Sequence, residues 1–256
     1  MNNRLILIAL ILTFVLGCTN EKPLEIVSKS FAENDIAACK EVNCPEITIN
    51  YFEAIGEAAI SEKINDSIHQ WIINSLYIGD PNNKSTAKNI TEAAQSFIKT
   101  YRLDNAAYPD MAAEYEARLT ITPILVTEEI LSVEIKQYNY TGGAHGYGSS
   151  TFHNFDVETG ESVPRDALFS NAEGFKKLAE EHFKKKYRIP KSESINATGL
   201  WFKEDVFYLP NSIGFTKKNV LLVYNPYEIA SYAQGAFEVK IPIVEATEFL
   251  SFSITE

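Results

Sequence analysis

The sequence contains few of the residues that metal and thiol chemistry requires. Its 256 residues include three cysteines and four histidines. The histidines form no HExxH helix pair. Cys39 and Cys44 have no third cysteine and no histidine close to them in the sequence, which makes them a poor ligand set for zinc. The sequence therefore predicts no metal site, and it predicts no cofactor.

The usual motifs of catalysis are also missing. No Gly-x-Ser-x-Gly elbow of a serine hydrolase occurs. The glycine-rich stretch at 142–148 lacks the Lys-Ser/Thr pair of a phosphate-binding loop and does not match the dinucleotide fingerprint. The 34 acidic residues are enough to include a carboxylate pair for glycoside hydrolysis, but no spacing in the sequence identifies such a pair. The sequence therefore favours a protein that is not an enzyme.

Positive charge is scarce. The chain has 23 lysines and arginines against 34 acidic residues, a formal net charge of −11. An acidic surface argues against nucleic acid, whose binding depends on neutralising phosphates, and against anionic lipid surfaces. It favours a basic partner through electrostatic steering, although solubility alone also explains it.

The chain has one long apolar run, from Leu5 to Leu16, and it lies at the amino terminus. The run spans about a dozen residues, and a membrane-crossing helix needs about 20. It ends in Val15-Leu16-Gly17-Cys18, which resembles the bacterial lipobox. We therefore expect a signal peptide over 1–17, a lipid on Cys18 that anchors the protein to a membrane, and a tether over 18–23. An ordinary signal peptide is the alternative.

This processing signal predicts a location in the cell envelope, outside the cytoplasm. Thr19 stands where an aspartate commonly marks retention in the inner membrane, so the sequence favours the outer membrane. An oxidising envelope also favours a disulfide between Cys39 and Cys44 over a metal site. Only four residues separate the two cysteines, so this disulfide adds on the order of 2 kcal/mol in the entropic account.

Hydrophobic periodicity predicts mixed helices and strands. Spacings of three and four predict helices over Ala54–Leu76, around Ile90–Tyr101 and over Asn171–Tyr187. Alternation predicts the strands 24–31, 46–51, 115–121, 131–135, 152–157, 206–209, 220–224 and 236–243. Regular βαβ alternation is absent, so we expect an α+β fold with helices packed on a largely antiparallel sheet. Two small subdomains, 24–140 and 141–256, are expected to form one ectodomain.

The densest local signal is a glycine-rich loop, from which we select six residues as a candidate ligand loop: Tyr140, Gly142, Gly143, His145, Gly146 and Tyr147. Glycines allow positive φ and a close backbone approach, and tyrosines provide stacking surfaces. The alternative is a tight structural crossing in which His145 bonds to the backbone.

Several motifs resemble known envelope domains. Tyr140 to Gly146, Phe155 to Gly160 and Leu168-Phe169 are similar to the start of the RsiV carboxy-terminal domain family, and Asn225 to Gly235 with Val239 to Pro242 is similar to its end. The segment from about Cys44 to Tyr140 resembles the domain at the amino terminus of the peptidoglycan deacetylase PdaC.

The resemblance implies an α+β fold and an envelope recognition module that is not a catalyst. In the RsiV family, this domain pair binds lysozyme. We expect neither an anti-sigma segment nor a deacetylase domain in this chain. The leading hypothesis is thus a lipoprotein that binds lysozyme-like muramidases. One alternative is a peptidoglycan or glycan binder that uses Tyr138, Tyr140 and Tyr147. The other is an unrecognised cell-wall hydrolase.

Overall fold

A computed structural model describes residues 24–40, 42–80 and 82–254. The predicted signal peptide and Cys18 lie outside the described residues. No helix in the described part of the chain combines the length and apolar character needed to cross a membrane.

A mixed five-stranded sheet dominates the first part of the chain. Its strands lie in the order of the sequence, and only β2 and β3 pair in parallel. They are β1 (Glu25–Ala32), β2 (Glu46–Ile55), β3 (Glu116–Val126), β4 (Ile130–Tyr140) and β5 (Tyr147–Asp156). The strand β5, which belongs to the second predicted subdomain, is therefore an edge strand of the first sheet.

Two long helices cover one face of this sheet. They are α1 (Ala58–Ser75) and α2 (Ile90–Ala107), which lie between β2 and β3 in the chain and so form the crossover that a parallel pair requires. Ile64, Ile68 and Ile72 recur every four residues and are fully buried against the sheet. The Asn89 side chain accepts a hydrogen bond from the Glu92 N–H at 2.8 Å and fixes the start of α2.

A second, smaller sheet and a third long helix form the rest of the structure. The antiparallel strands are β6 (Ser212–Phe215), β7 (Asn219–Tyr224) and β8 (Phe237–Pro242). The helices are α3 (Ala172–Lys186) and the short α4 (Ile243–Ala246). Phe175, Ala179 and Phe183 of α3 are buried in a second hydrophobic core.

Side chains join the two sheets. The Ser150 N–H donates to Asn225 Oδ1 at 2.8 Å, and the Phe152 N–H donates to Ser212 Oγ at 3.0 Å. Asn154 Nδ2 donates to the backbone oxygen of Ile213 at 2.9 Å. Because these bonds connect the edge of β5 to the second sheet, residues far apart in sequence meet at this joint.

The α+β class is confirmed, with antiparallel pairing everywhere in the described residues except between β2 and β3. The strand predicted over Val206–Leu209 is wrong, because this stretch has no regular structure and β6 lies further on. Glu204 and Asp205 just before it have positive φ, and Pro210 just after it has no N–H for a ladder. The first helix begins at Ala58, later than predicted, because β2 continues to Ile55.

Candidate functional site

The glycine loop connects β4 to β5, and two glycines make the reversal possible. Gly142 and Gly143 have φ of 91° and 89°, in the region where L side chains are strained. Tyr140 Oη donates to the backbone oxygen of Gly143 at 3.1 Å. The loop is thus shaped by its own residues.

Gly146 allows the backbone of the loop to lie close to the Tyr138 ring. A Cβ at this position would lie 2.5 Å from Cζ of Tyr138, so no larger residue fits without displacing that ring. The Arg118 guanidinium carbon lies 4.8 Å from the centre of the Tyr138 ring, a cation–π distance. This glycine therefore holds the loop against the outer residues of the sheet.

His145 is exposed and connects the loop to a distant segment. Its ring stacks on Tyr232 with the centres 4.1 Å apart and the planes 13° apart. Its Nδ1 lies 3.0 Å from the backbone oxygen of Gly146, and Tyr232 Oη donates to the same oxygen at 2.7 Å. The contact between His145 and the backbone agrees with the structural alternative, and the exposed stacked ring leaves a surface for a ligand.

Exposed aromatic side chains gather around the segment 225–235. Five Phe, Tyr and Trp residues are exposed in the described chain, and four of them interact with this segment or belong to it. The exposed fractions are 43% for Tyr147, 54% for Trp201, 37% for Tyr208 and 57% for Tyr227. We call these four residues, together with His145 and Tyr232, the aromatic surface.

Hydrogen bonds to backbone oxygens attach two of these residues to the segment. The Trp201 N–H donates to the backbone oxygen of Ile229 at 2.8 Å. Tyr208 Oη donates to the backbone oxygen of Glu228 at 3.3 Å. The rings of Tyr227 and Tyr232 lie 5.6 Å apart. Three regions of the chain therefore meet at this segment.

The backbone of Tyr227 is strained. Its φ is 73°, a conformation that costs a bulky residue on the order of 1–3 kcal/mol. The residue is 57% exposed, so its side chain does not fill a core. The Glu228 N–H donates to the Asn225 oxygen at 3.0 Å, so Tyr227 is the third residue of a tight turn, a position at which type II turns require a positive φ. The turn presents the Tyr227 side chain at the surface.

Glu228 places a half-buried carboxyl group beside the aromatic surface. Burial raises its pKa above the ordinary value, and hydrogen bonds from Asn225 partly oppose this shift. Burial first, and then the Glu228 charge, raise the pKa of Tyr147 and of Tyr208. The site thus offers aromatic faces, hydroxyl groups and one carboxyl group, a set suited to stacking and hydrogen bonding.

A recess lies beside the disulfide. It has a volume of about 330 Å³, and four of its lining residues are acidic: Glu33, Glu46, Glu114 and Glu116. Glu33 accepts a hydrogen bond from the Ile47 N–H, and Glu116 pairs with Arg118. No group of three or more His, Cys, Asp or Glu residues in the described chain is arranged to hold a metal ion.

The Cys39–Cys44 disulfide prediction is confirmed, with the Cα atoms 5.5 Å apart. Trp201, Tyr208, Tyr227 and Glu228 are not among the site residues predicted from the sequence. The Asn225-Pro226 pair is a turn signal that marks their segment, but neither the positive φ of Tyr227 nor its neighbours can be read from periodicity.

Comparison with known proteins places two families along the chain in the predicted order. Residues 38–147 match the family described as deacetylase PdaC. Residues 161–243 match a family described as a protein of unknown function, DUF3298. The predicted resemblance to this domain pair is confirmed. The first match includes the glycine loop, and the second includes the segment that stacks on it. No curated protein matches the sequence.

Two crystal structures share the fold. A DUF3298 family member from Bacteroides fragilis has a TM-score of 0.62 and 21% sequence identity, over 90% of this chain and 94% of that one. A DUF3298 family protein from Pseudomonas aeruginosa has a TM-score of 0.58 and 18% identity, with the same coverage. Identities this low support the fold and leave the function to be argued from the site.

Proposed function

We propose that this chain is a non-enzymatic binding protein of the cell envelope that recognises its partner through the aromatic surface. The exposed Tyr227, whose ring centre lies 5.6 Å from that of Tyr232, is the observation that carries the proposal. Tyrosine and tryptophan dominate binding hot spots because they bury large areas and lose little conformational entropy. The stacking of His145 on Tyr232 holds the glycine loop in place before a partner arrives, which lowers the entropic cost of binding.

The partner that we favour is a basic muramidase of the lysozyme type. Arg4 is the one charged residue among residues 1–17, so the side-chain charges of the mature protein sum to 22 − 34 = −12. Opposite charge accelerates encounter with a basic protein, and this acceleration declines as salt increases. The lysozyme binding of the RsiV family points to the same class of partner.

Calorimetric titration tests this proposal. The protein from residue 20 onward, which retains every described element, is titrated with a panel of lysozymes while their muramidase activity is recorded. We expect micromolar or tighter binding, a loss of muramidase activity, and weaker binding of the Tyr227→Ala and Tyr147→Ala variants. Tyr108→Ala is the matched control, because Tyr108 is exposed but lies outside the aromatic surface. The absence of heat and of inhibition at low salt would exclude lysozymes as partners.

A glycan is the second candidate, and the exposed faces of Tyr147, Trp201 and Tyr227 favour it, because sugar rings stack on aromatic side chains. Purified peptidoglycan sacculi should retain the unmodified protein and the Tyr108→Ala variant more than the Tyr147→Ala variant. Equal retention of all three proteins would show that the aromatic surface does not bind the glycan.

The location is part of the proposal. We propose that Cys18 carries lipid and anchors the protein in the outer membrane, as the lipobox-like sequence and Thr19 suggest. Two or more acyl chains give a stable anchor where one does not. Metabolic labelling with an alkyne fatty acid should mark the protein but not its Cys18→Ser variant, and labelling of both would contradict lipidation at this cysteine.

A further inference from the structure

The four outer sheet edges of the described structure differ in how they are protected. On the β5 edge, the backbone N–H and oxygen of Ser150 bond to the Asn225 side chain, and the Phe152 N–H bonds to Ser212. Because these backbone groups already have side-chain partners, another strand cannot pair with them.

The edges of the second sheet are protected in the same way. On β8, the Glu238 N–H donates to Tyr187 Oη at 2.9 Å, and the Glu238 oxygen accepts from Tyr187 Oη and Lys186 Nζ. On β6, the Ile213 oxygen accepts a hydrogen bond from Asn154. The edges of β5, β6 and β8 thus carry side chains that block strand addition.

The edge of β1 is open except at its last residue, where the Ala32 N–H donates to Asp35 Oδ2 at 2.8 Å. Glu25–Ala32 pairs with β2 through eight consecutive residue pairs without a bulge, and no strand of the described chain lies on its other side. The strand contains no proline, and most of its residues are exposed. Proteins usually protect a long edge strand with bulges, prolines or charges because its free backbone groups attract other strands. Lys29 is the single basic residue of β1.

We propose that β1 is a homodimerisation edge, on which a second copy of this chain adds its own β1 in antiparallel orientation. The register that we assign places Val27 opposite Val27 of the second copy. It also places Glu25 opposite Lys29 of the second copy, twice by symmetry. Opposite charges in directly facing positions stabilise an antiparallel pair.

The composition of β1 selects this register. Val27 is 38% exposed and lies between the two charged residues on the same face of the strand, so the centre of the contact is apolar. A register with Lys29 opposite Lys29, or with Glu25 opposite Glu25, brings like charges together, which destabilises a pair. Lys29 Nζ also lies 3.1 Å from Glu53, so in the dimer the ammonium group has a carboxylate on each side.

The contact is small, and this sets its strength. One added strand buries less surface than stable dimers do, so the association is weak and reversible. The net charge of −11 also opposes the approach of two copies at low ionic strength. The proposal does not depend on the aromatic surface or on its partner.

Sedimentation velocity tests the proposal on the protein from residue 20 onward, at about 5 to 500 µM and about 0.15 M salt. We expect a monomer–dimer equilibrium. Glu25→Lys should raise the dissociation constant about tenfold, because both facing pairs become repulsive. Lys29→Glu should have the same effect. The double variant Glu25→Lys/Lys29→Glu should restore dimerisation, because each facing pair again has opposite charges.

Two results would overturn the proposal. The first is a monomer at every concentration. The second is a dimer that responds to neither single charge reversal, or whose loss is not restored in the double variant, since it would use another surface. Thermal unfolding of each variant at low concentration shows that the charge changes leave the fold intact. Val244→Lys, a charge change at an exposed apolar residue outside β1, is the matched control and should dimerise normally.

Discussion

At the scale of single residues, a substitution of Tyr227 should affect binding much more than stability. Its left-handed backbone is one that glycine adopts without strain. We therefore expect Tyr227→Gly to leave the free energy of unfolding within about 1 kcal/mol of the original value, or to increase it, because relief of strain offsets the lost ring contact and the extra chain entropy. Binding through the aromatic surface should be lost.

Chemical denaturation and calorimetry on the same samples measure both effects of Tyr227→Gly. Tyr232→Phe is a useful comparison, because it removes the hydroxyl group that donates to Gly146 but keeps the stacked ring. A large loss of stability in Tyr227→Gly with unchanged binding would show that Tyr227 is structural.

His153 predicts a dependence of stability on pH. Its ring centre lies 4.2 Å from that of Trp71, and burial lowers its pKa below the ordinary value of 6.5. The folded state therefore binds fewer protons than the unfolded state as pH falls below about 6.5. Stability should fall over this range and level off once the pH is below the lowered pKa.

This effect is measured as the difference in unfolding free energy between about pH 7.5 and about pH 5.5. These values lie about one unit on either side of the ordinary histidine pKa. His153→Gln should lose less stability on acidification than the unmodified protein, and His69→Gln is the control at a half-buried histidine on the surface of α1. An equal loss in His153→Gln would assign the pH dependence to other groups.

The individual site residues show where prediction from sequence ends. The spacing of glycines around His145 is visible in the sequence and predicted a loop with positive φ angles and a close backbone approach. The ring on which His145 stacks, Tyr232, lies 87 positions further along the chain (232 − 145). No local pattern encodes such a contact, because it arises from the packing of two sheets.

At the scale of elements, the joint between the sheets depends on single hydroxyl groups. Ser212 is buried, and its Oγ accepts from the Phe152 N–H and donates to the Ser150 oxygen. Ser212→Ala leaves that N–H buried without a partner, so we expect a loss of about 1–3 kcal/mol of unfolding free energy. Ser67→Ala, which removes an exposed hydroxyl on α1, should change stability by much less.

Denaturant titration of Ser212→Ala, followed by tryptophan fluorescence, measures this loss. Hydrogen exchange at Phe152 and at Ser150 locates it, because a loosened joint exposes the edge of β5 first. A variant as stable as the original protein would mean that water or a shifted backbone replaces the hydroxyl group.

Elements with a strong period were predictable, and irregular ones were not. The isoleucine stripe of α1 and the alternation of β3 give each element one buried face, and both elements formed. Val206–Leu209 alternates as a strand does, with Val206 exposed and Phe207 buried in the second core, but residues with positive φ precede it and Pro210 follows it. Periodicity does not take such flanking residues into account.

At the scale of the whole molecule, the acidic excess sets how salt acts on stability. Charges further apart than about 10 Å are largely screened at about 0.1 M salt. The ion pairs of the described residues are mostly exposed, and such pairs contribute about 0–1 kcal/mol each. A net charge of −11 therefore makes long-range repulsion the larger effect that salt removes.

We accordingly expect added sodium chloride to stabilise the fold. If screening removes about 1 kcal/mol of repulsion, the melting temperature should rise by about 2–4 °C for a chain of this size. Calorimetry at pH 7 over a salt series, at a protein concentration low enough to keep the chain monomeric, measures the shift. Choline chloride at equal ionic strength should produce the same rise, because screening depends on ionic strength rather than on the cation. A fall in melting temperature with salt would show that the surface ion pairs contribute more than the repulsion costs.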